Sequence, residues 1–501
     1  MVLAFYGIIC SLKPDIAIFR QVSNKIPLGG IFLLYFRIYS FSKKGYNYLR
    51  KNEVTISMIT DMSVGKPWRV LLNFSFPLLL SAVFQQLYNI ADTIIAGRCL
   101  GEDALAAVGS SYPITMIFMA IALGSTAGAS VIISRLFGEK RLTDMKTAVF
   151  TTYISIGGLS IILTVFGLIF CRPMLEGLNT HSDIMEDSVS YLNIYTWGLV
   201  FLFVYNIATC VFSSLGDSKT PLVLLIFSSV GNVGLDLLLV LCFDMGVGAL
   251  ALATLIAQGF ACIIASLILF KRLKTIDTSG RPKIFSRKIL MQISRLAVPG
   301  IFQQSFVSVG NLFIQSLVNG FNITAVTAAY TAAIKLNTFA VTMFATLAGG
   351  VSNFTAQNLG AGKPERVKSG FKSGLLTGEI VAVTASLICF IFPDQLIGLF
   401  VDNPTATVIE TGRSFLRIIS PFYFTVCAKL IADNVFKGAG KMTFFMISTF
   451  TDLILRVVLA YILSGFMGVN GVWWSWPVGW GISACLALVF YFTGRWNTAS
   501  R

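Results

Sequence analysis

Twelve long apolar stretches constrain this chain more than any other feature of its sequence. Each approaches or exceeds the roughly 20 residues with which an α-helix crosses a bilayer. Backbone polar groups inside lipid must be bonded within their own segment, and the period-two alternation of a barrel strand is absent, so we predict helices. The stretches cover about residues 70–96, 104–133, 147–170, 190–215, 221–243, 248–270, 293–317, 324–352, 370–392, 411–436, 443–465 and 470–493.

The composition excludes several classes of protein. Hydrophobic residues make up 55% of the chain and charged residues only 12%, whereas a soluble domain has roughly 25% charged residues. An ordinary cytosolic enzyme, a disordered chain and a secreted disulfide scaffold are therefore excluded. The nine cysteines are scattered without a C-x-x-C pair, so we interpret them as small apolar residues rather than bridges or metal ligands. No cofactor is predicted.

The formal charge of +15 is concentrated in short basic blocks between the apolar stretches, within residues 135–146, 271–288 and 363–372. This pattern is typical of loops at an anionic membrane surface and not of a nucleic-acid interface. All three blocks fall in even-numbered loops, while the third loop is acidic. The positive-inside rule therefore predicts a multi-pass protein of the cell membrane with both termini in the cytoplasm.

Residues 1–65 do not fit this pattern. Their apolar runs are too short to cross a bilayer and basic residues interrupt them, and no signal peptide is recognisable. One interpretation is a poorly ordered extension at the membrane surface. The other is a translation start placed too early, with Met58 or Met62 as the true start.

The two halves of the chain repeat each other. Pro77 aligns with Pro299 and Gly128 with Gly350 at a constant offset. Because each half has six helices, both halves enter the membrane in the same orientation, and a pseudo-two-fold axis along the membrane normal should relate them. We predict an all-α integral membrane protein with twelve transmembrane helices in two six-helix lobes. The predicted parts are a first lobe over 66–274, a cytoplasmic linker over 275–292, a second lobe over 293–495 and a cytoplasmic tail over 496–501.

Four polar residues mark a candidate cation site in the first lobe. Asp92 and Asp236 lie inside apolar stretches without a basic residue nearby, and a charge at a helix centre costs roughly 2.5–3.5 kcal/mol on insertion scales. Asn232 lies four residues before Asp236 and therefore on the same helix face. With Thr254 they supply oxygen atoms only, which suits Na⁺ or a shared proton; no other metal site is predicted.

The second lobe differs at the equivalent positions. Arg456 aligns with Asn232, and Asp452 lies one turn before it, so we predict a structural ion pair between Asp452 and Arg456. In the first predicted helix, Pro77 removes a backbone hydrogen bond and favours a kink.

These residues together resemble a known family. The segment from Phe84 to Arg98 (FQQLYNIADTIIAGR), the segment Gly231–Asp236 (GNVGLD) and the segment Ala328–Lys335 (AAYTAAIK) are similar to motifs of the multidrug and toxic compound extrusion (MATE) family. The resemblance covers about residues 66–495. It implies a V of two lobes, a cation site at the four polar positions named above, and a bend at Pro77.

The resemblance also implies the function. A member of this family is expected to be a secondary active multidrug exporter, which exchanges small, cationic, amphipathic compounds for Na⁺ or H⁺ by alternating access. No obligate protein partner is expected. Candidate residues of the substrate cavity are Gln85, Tyr88, Gln303 and Gln304. Alternatives are a flippase for lipid-linked sugars, a channel and, less favoured because the chain has one histidine, a membrane-embedded enzyme.

Overall fold

The computed structural model describes residues 59–95, 99–243, 245–278, 280–401 and 404–497. The predictions for residues 1–58 and for the last four residues lie outside these ranges. The described part of the chain is helical, and no strand occurs in it. Numbered from the first one described, the helices are α1 (Pro67–Ile95), α2 (Glu102–Gly138), α3 (Leu142–Gly177), α4 (Ser182–Trp197), α5 (Leu199–Ser214), α6 (Lys219–Phe243), α7 (Gly248–Thr275), α8 (Arg287–Asn319), α9 (Thr324–Gly360), α10 (Pro364–Ile391), α11 (Pro393–Gly398), α12 (Ala406–Ile419), α13 (Tyr423–Gly438), α14 (Met442–Met467) and α15 (Val469–Phe492).

The twelve predicted stretches all coincide with helices, but their capacity to span a membrane is not uniform. Ten segments are long and apolar enough to cross a bilayer, and α4 and α5, which meet at a 43° bend, bring the number to eleven if they count as one span. The stretch predicted over 293–317 forms the 33-residue helix α8. Its polar residues, such as Gln303, Gln304 and Asn311, keep it below the hydropathy of the other spans. The protein is thus a multi-pass membrane protein.

Two large hydrophobic cores divide the chain as the repeat predicts. One is built mainly from α2, α3, α5 and α7 and contains Phe203 and Phe212, both almost inaccessible. The other is built mainly from α9, α10 and α12 to α15 and contains Phe344 and Trp473. Since each core draws chiefly on one half of the sequence, each half packs as its own lobe.

The lobes meet where α2 crosses α8. Gly124 and Gly128 form a small-xxx-small pattern on α2, which allows two helix backbones to approach closely. A Cβ atom at Gly124 would lie 2.5 Å from the Cα atom of Ile301, and one at Gly128 would lie 2.5 Å from the backbone nitrogen of Ala297. A larger side chain at either glycine would therefore push the lobes apart.

A second contact between the lobes lies at one end of the bundle, at the turns 139–141, 215–218, 361–363 and 439–441, which we call the basic face. Ser130 of α2 donates to Asn353 Oδ1 of α9 at 2.7 Å, and Gln357 Nε2 of α9 donates to the carbonyl oxygen of Ser214 at 2.7 Å. Gln357 and Ser214 are fully buried. These bonds join the two lobes at this end of the bundle.

Residues 59–66, which we call the strap, lie across the basic face. The backbone nitrogen of Met62 donates to Gln357 Oε1 at 2.9 Å, and the Met62 carbonyl accepts from Asn358 at 3.2 Å. On the other side, Asp61 Oδ2 lies 2.5 Å from Lys140 Nζ of the first lobe. Burial raises the pKa of the Asp61 carboxyl, but hydrogen bonds from Lys140 and Ser63 outweigh it and hold the pKa below the usual 3.8. The strap thus connects both lobes.

Two N-terminal deletions should distinguish the contribution of the strap from that of the residues before it. Deleting residues 2–57 should leave transport unchanged, because the strap and its bonds remain. Deleting residues 2–65 should lower the yield of folded protein, because it removes the fully buried Met62 and several hydrogen bonds of about 0.5–1.5 kcal/mol each. Folded yield by size-exclusion chromatography in detergent, together with drug efflux from cells, measures both. Loss of folded protein after deletion of residues 2–57 would contradict this prediction.

Candidate cation site in the first lobe

Three neighbouring helices carry the four polar residues predicted for the cation site. Asp92 lies three residues before the end of α1, Asp236 seven residues before the end of α6, and Thr254 six residues after the start of α7. Helix α6 packs against both α1 and α7. The cluster is therefore near the end of the bundle opposite the basic face, which we call the far face; it holds the turns 178–181, 245–247 and 320–323.

Asn232 connects the four residues. With its amide nitrogen facing the acids, it donates to Asp92 Oδ1 at 3.2 Å and to Asp236 Oδ2 at 3.1 Å. Its amide oxygen then accepts from the backbone nitrogen of Thr254 at 3.1 Å and from the Thr254 hydroxyl at 3.3 Å. One amide thus holds two carboxylates from different helices within reach of each other, and the structure brings all four predicted residues together.

Among the described residues, the cluster has no compensating positive side chain. Asn232 and Asp236 are 2% and 1% exposed, and Asp236 Oδ1 has no hydrogen-bond partner among the described residues. No lysine or arginine in the described ranges lies within ion-pair distance of Asp92 or Asp236. Two acids in apolar surroundings with one oxygen unpaired form a donor set that fits a small monovalent cation or a proton.

Tyr88 belongs to this cluster. It lies four residues before Asp92 on α1, and its hydroxyl interacts with both the Asp92 carboxylate and the Thr254 hydroxyl. From the sequence alone, we predict Tyr88 only as a residue of the substrate cavity. The spacing of four residues from Asp92 was a signal that the two side chains share one face of the helix.

Helix α1 links the cluster to the strap. It begins directly after the strap, runs through Pro77 as one helix, and carries Asp92 near its far end. Pro77 is buried, and its carbonyl oxygen accepts a hydrogen bond from the Ser81 hydroxyl at 2.9 Å. The residue at which a kink is predicted therefore lies between the candidate cation cluster and the basic face.

The other residues predicted for the substrate cavity lie on two helices, α1 and α8. Gln85 is exposed on α1, while Gln303 and Gln304 are half-buried on α8. An open surface depression runs along one apolar face of α14, and none of these residues lines it. Its lining is Thr443, Met446, Ile447, Phe450, Thr451, Ile454 and Leu455. Phe450, which lines it, contacts Phe306 of α8, with ring centroids 5.0 Å apart.

The second lobe holds the ion pair expected there. Arg456 Nη2 lies 3.3 Å from Asp452 Oδ2. Lys429 Nζ lies 2.9 Å from Asp433 Oδ2 and 3.8 Å from Asp452 Oδ2. The four residues therefore form one network, on α13 and α14.

The sequence profile of the MatE family matches residues 77–238 and again residues 299–462. The two matches together cover well over half of the chain. The chain belongs to the MatE family. The second match begins at Pro299, the residue that aligns with Pro77, so the family's own unit is the repeat seen in this sequence.

Relatives of known name agree with this assignment. A probable multidrug resistance protein of Bacillus subtilis, YoeA, is 28% identical over 450 residues, which are 88% of this chain and 97% of the relative. An FAD transporter of Shewanella oneidensis is 25% identical and covers 82% of this chain and 91% of its own. Among solved structures, an outward-facing multidrug resistance MATE transporter has a TM-score of 0.81 at 22% identity, with 87% of this chain and 97% of that chain covered.

Membership in the MatE family decides the general class of function. The chain is a membrane transporter of the multidrug efflux type and not an enzyme. This conclusion leaves the coupling ion, the substrate and the transport cycle to be argued from this chain's own residues.

Proposed function

We propose that this MatE transporter is a secondary active exporter, which exchanges cationic amphipathic compounds for Na⁺ or H⁺ by alternating access. The observation that supports this most directly is the cluster around Asn232. Two carboxylates share one amide donor there, and Asp236 Oδ1 has no partner in the described part of the chain. Such a pair needs a positive charge, and an exchangeable cation supplies it.

In this proposal Asp92, Asn232, Asp236 and Thr254 bind the coupling cation, and Tyr88 supports Asp92. Asp92 and Asp236 provide the negative charge, while Asn232 and the Thr254 hydroxyl hold the carboxylates in place and offer further oxygen atoms. Burial and mutual repulsion both penalise two negative charges. The pair therefore takes up one positive charge as a unit.

Exchange requires only that the cation and the drug favour opposite arrangements of the lobes. A cation that neutralises Asp92 stabilises one packing of α1 against α6. Because α1 continues through Pro77 to the strap, a change of its bend reaches the bonds that join the lobes at the basic face. Drug binding in the cleft favours the other arrangement.

The energy of one cation is sufficient for export. A single charge that moves down 100 mV supplies about 2.3 kcal/mol, and one pH unit adds about 1.4 kcal/mol. Exchange of one monovalent cation for one monocationic drug moves no net charge, so a gradient of one pH unit supports about a tenfold drug gradient. Exchange of two cations for one drug moves one net charge and supplies about 5 kcal/mol, which supports roughly a few thousandfold.

For orientation, we propose that the basic face is cytoplasmic and that the protein resides in the cell membrane. The turns of this face carry Lys140, Arg141 and Lys363, in keeping with the positive-inside rule. The cation cluster then lies nearer the outside, where the coupling ion enters.

The substrate proposal rests on how few positive side chains of the described membrane spans are unpaired; Lys335 on α9, whose Nζ lies 6.0 Å from the centre of the Phe400 ring, is one of them. A flippase for lipid-linked sugars needs basic side chains that can hold a pyrophosphate. Lys429 and Arg456 are buried in ion pairs with acids instead. Apolar walls with few fixed charges favour broad recognition of amphipathic cations.

Proteoliposomes with an imposed Na⁺ gradient or an imposed pH gradient, each applied alone, test the proposal. Ethidium should move against its own gradient under one of the two and stop when an ionophore dissipates that gradient. Empty liposomes provide the control. Failure of both gradients to drive ethidium, with translocation of a lipid-linked sugar in the same vesicles, would favour the flippase.

A further inference from the structure

The second lobe contains a closed network of four charges. Lys429 and Asp433 project from α13, and Asp452 and Arg456 project from α14. All four are between 1% and 7% exposed. The distances from Lys429 Nζ to Asp433 and Asp452 are 2.9 and 3.8 Å, and Arg456 reaches Asp452 at 3.3 Å. Two positive and two negative groups make the network formally neutral.

Helix α15 closes this network on one side. The Arg456 guanidinium carbon lies 4.2 Å from the centre of the Trp476 ring, a favourable cation–π contact. A Cβ atom at Gly479 would lie 3.2 Å from Asp452 Oδ1. From α9, Tyr330 lies near Arg456. Ser448 of α14 lies near Asp433, but its hydroxyl donates to the carbonyl oxygen of Ser483 at 3.5 Å.

The acids of the network are incompletely bonded. In the described ranges Asp452 Oδ1 and Asp433 Oδ1 have no hydrogen-bond partner, and Asp433 Oδ2 meets Lys429 at ion-pair distance without hydrogen-bond geometry. The carboxylates are therefore held mainly by the positive charge of Lys429 and Arg456. Removing one partner of a buried pair leaves an uncompensated charge, which is strongly destabilising.

The repeat places this network where the first lobe has its cation cluster. Helix α14 is the counterpart of α6, and α8 packs on α14 as α1 packs on α6. Arg456 occupies the position of Asn232, while the counterparts of Asp92 and Asp236 are Ile314 and Ala460. Both of these are fully buried. The second lobe thus has a covalently attached cation, the Arg456 side chain, at the position equivalent to Asn232, which borders the proposed site of the exchangeable cation in the first lobe.

We propose that Lys429 and Arg456 act as tethered cations that keep this four-charge network permanently neutral, so that this transporter exchanges its coupling cation at the first-lobe cluster and not at the network. The proposal rests on the function proposed above. It implies a latent site: if Lys429 loses its charge, the acids of the second lobe need a free cation in its place.

The parent protein for this test is the full chain with Asp92→Asn and Asp236→Asn, which remove both negative charges of the first-lobe cluster. In this parent, thermal stability should not change when choline chloride is replaced by sodium chloride, and no sodium should bind. Adding Lys429→Met to this parent should make its thermal stability depend on a bound cation. The midpoint temperature of unfolding should therefore rise when Na⁺ is added or when the pH falls. Bound ²²Na⁺, or proton uptake on acidification, should increase by one per protein.

A matched variant controls for loss of packing. Lys429→Met combined with Asp433→Asn removes one positive and one negative charge, and it should behave as the parent. Arg456→Gln, alone and combined with Asp452→Asn, repeats the comparison at the second pair. Sodium binding by the parent would overturn the proposal. So would a Lys429→Met variant that needs no cation, or one that stays unfolded in every ion while the double variant folds.

Failure of the tethered-cation proposal and failure of the proposed transport function can be told apart. If Asp92→Asn leaves ethidium efflux intact, the first-lobe cluster is not the coupling site, whatever the second lobe does. If that variant abolishes efflux but the Lys429→Met comparison shows no added cation, only the tethered-cation proposal fails.

Discussion

Asp92→Asn should abolish drug efflux completely while leaving the amount of protein in the membrane unchanged. The asparagine has nearly the same size and can still hydrogen-bond with Asn232, which lies 3.2 Å from Asp92 Oδ1. It cannot carry the negative charge that attracts a cation, so binding of the coupling ion no longer depends on the lobe arrangement. Ethidium efflux from cells, with expression measured by immunoblot, gives the result.

Glu379→Gln is the matched control for this variant. Glu379 lies on α10 within a predicted membrane span and is half-buried. Helix α10 packs against α1 but not closely against α6 or α7, and Glu379 forms none of the contacts of the cluster. The same change from acid to amide should leave efflux close to that of the unmodified protein. Full efflux by Asp92→Asn, or equal loss in both variants, would refute a coupling role specific to the cluster.

The grouping of the polar residues in the candidate cation site was predictable because such residues are unusual in apolar stretches. Asp92 and Asp236 are acids in long apolar stretches, and the spacing from Asn232 to Asp236 places both on one face of α6. Comparison with the second half, where Ile314 and Ala460 take their places, marked the first lobe as the special one. What the sequence could not give is the orientation of the Asn232 amide, since this depends on how α1 and α7 pack on α6.

The fold was predictable to a similar extent. Long apolar runs and the repeat predicted the helices and the two cores, because helix formation in lipid is a local requirement. The bend between α4 and α5 and the contacts of the strap were not predictable. The strap's bonds join Met62 to Gln357, 295 residues away, and the pattern of neither segment indicates its partner. Within the range 275–292 predicted for the linker, α7 ends at Thr275 and α8 begins at Arg287.

A cross-link between the lobes at the basic face should stop transport. In a background without native cysteines, Ser130→Cys with Asn353→Cys places two thiols on α2 and α9, where the native side chains lie 2.7 Å apart. A covalent bond there prevents the cleft from opening at this face, which alternating access requires in every cycle. Oxidation or a short bifunctional reagent should abolish efflux, and reduction of the oxidised form should restore it.

Ser130→Cys with Ser214→Cys provides the control, because it uses the same position on α2 and a native separation of 2.9 Å. Both of its residues belong to the first lobe, so the cross-link should leave efflux nearly unchanged. If the link between Ser130 and Asn353 positions forms completely and transport continues, the lobes do not separate at the basic face. The drug would then have to leave by movements within one lobe, and the path from Asp92 along α1 to the strap would have no part in the cycle.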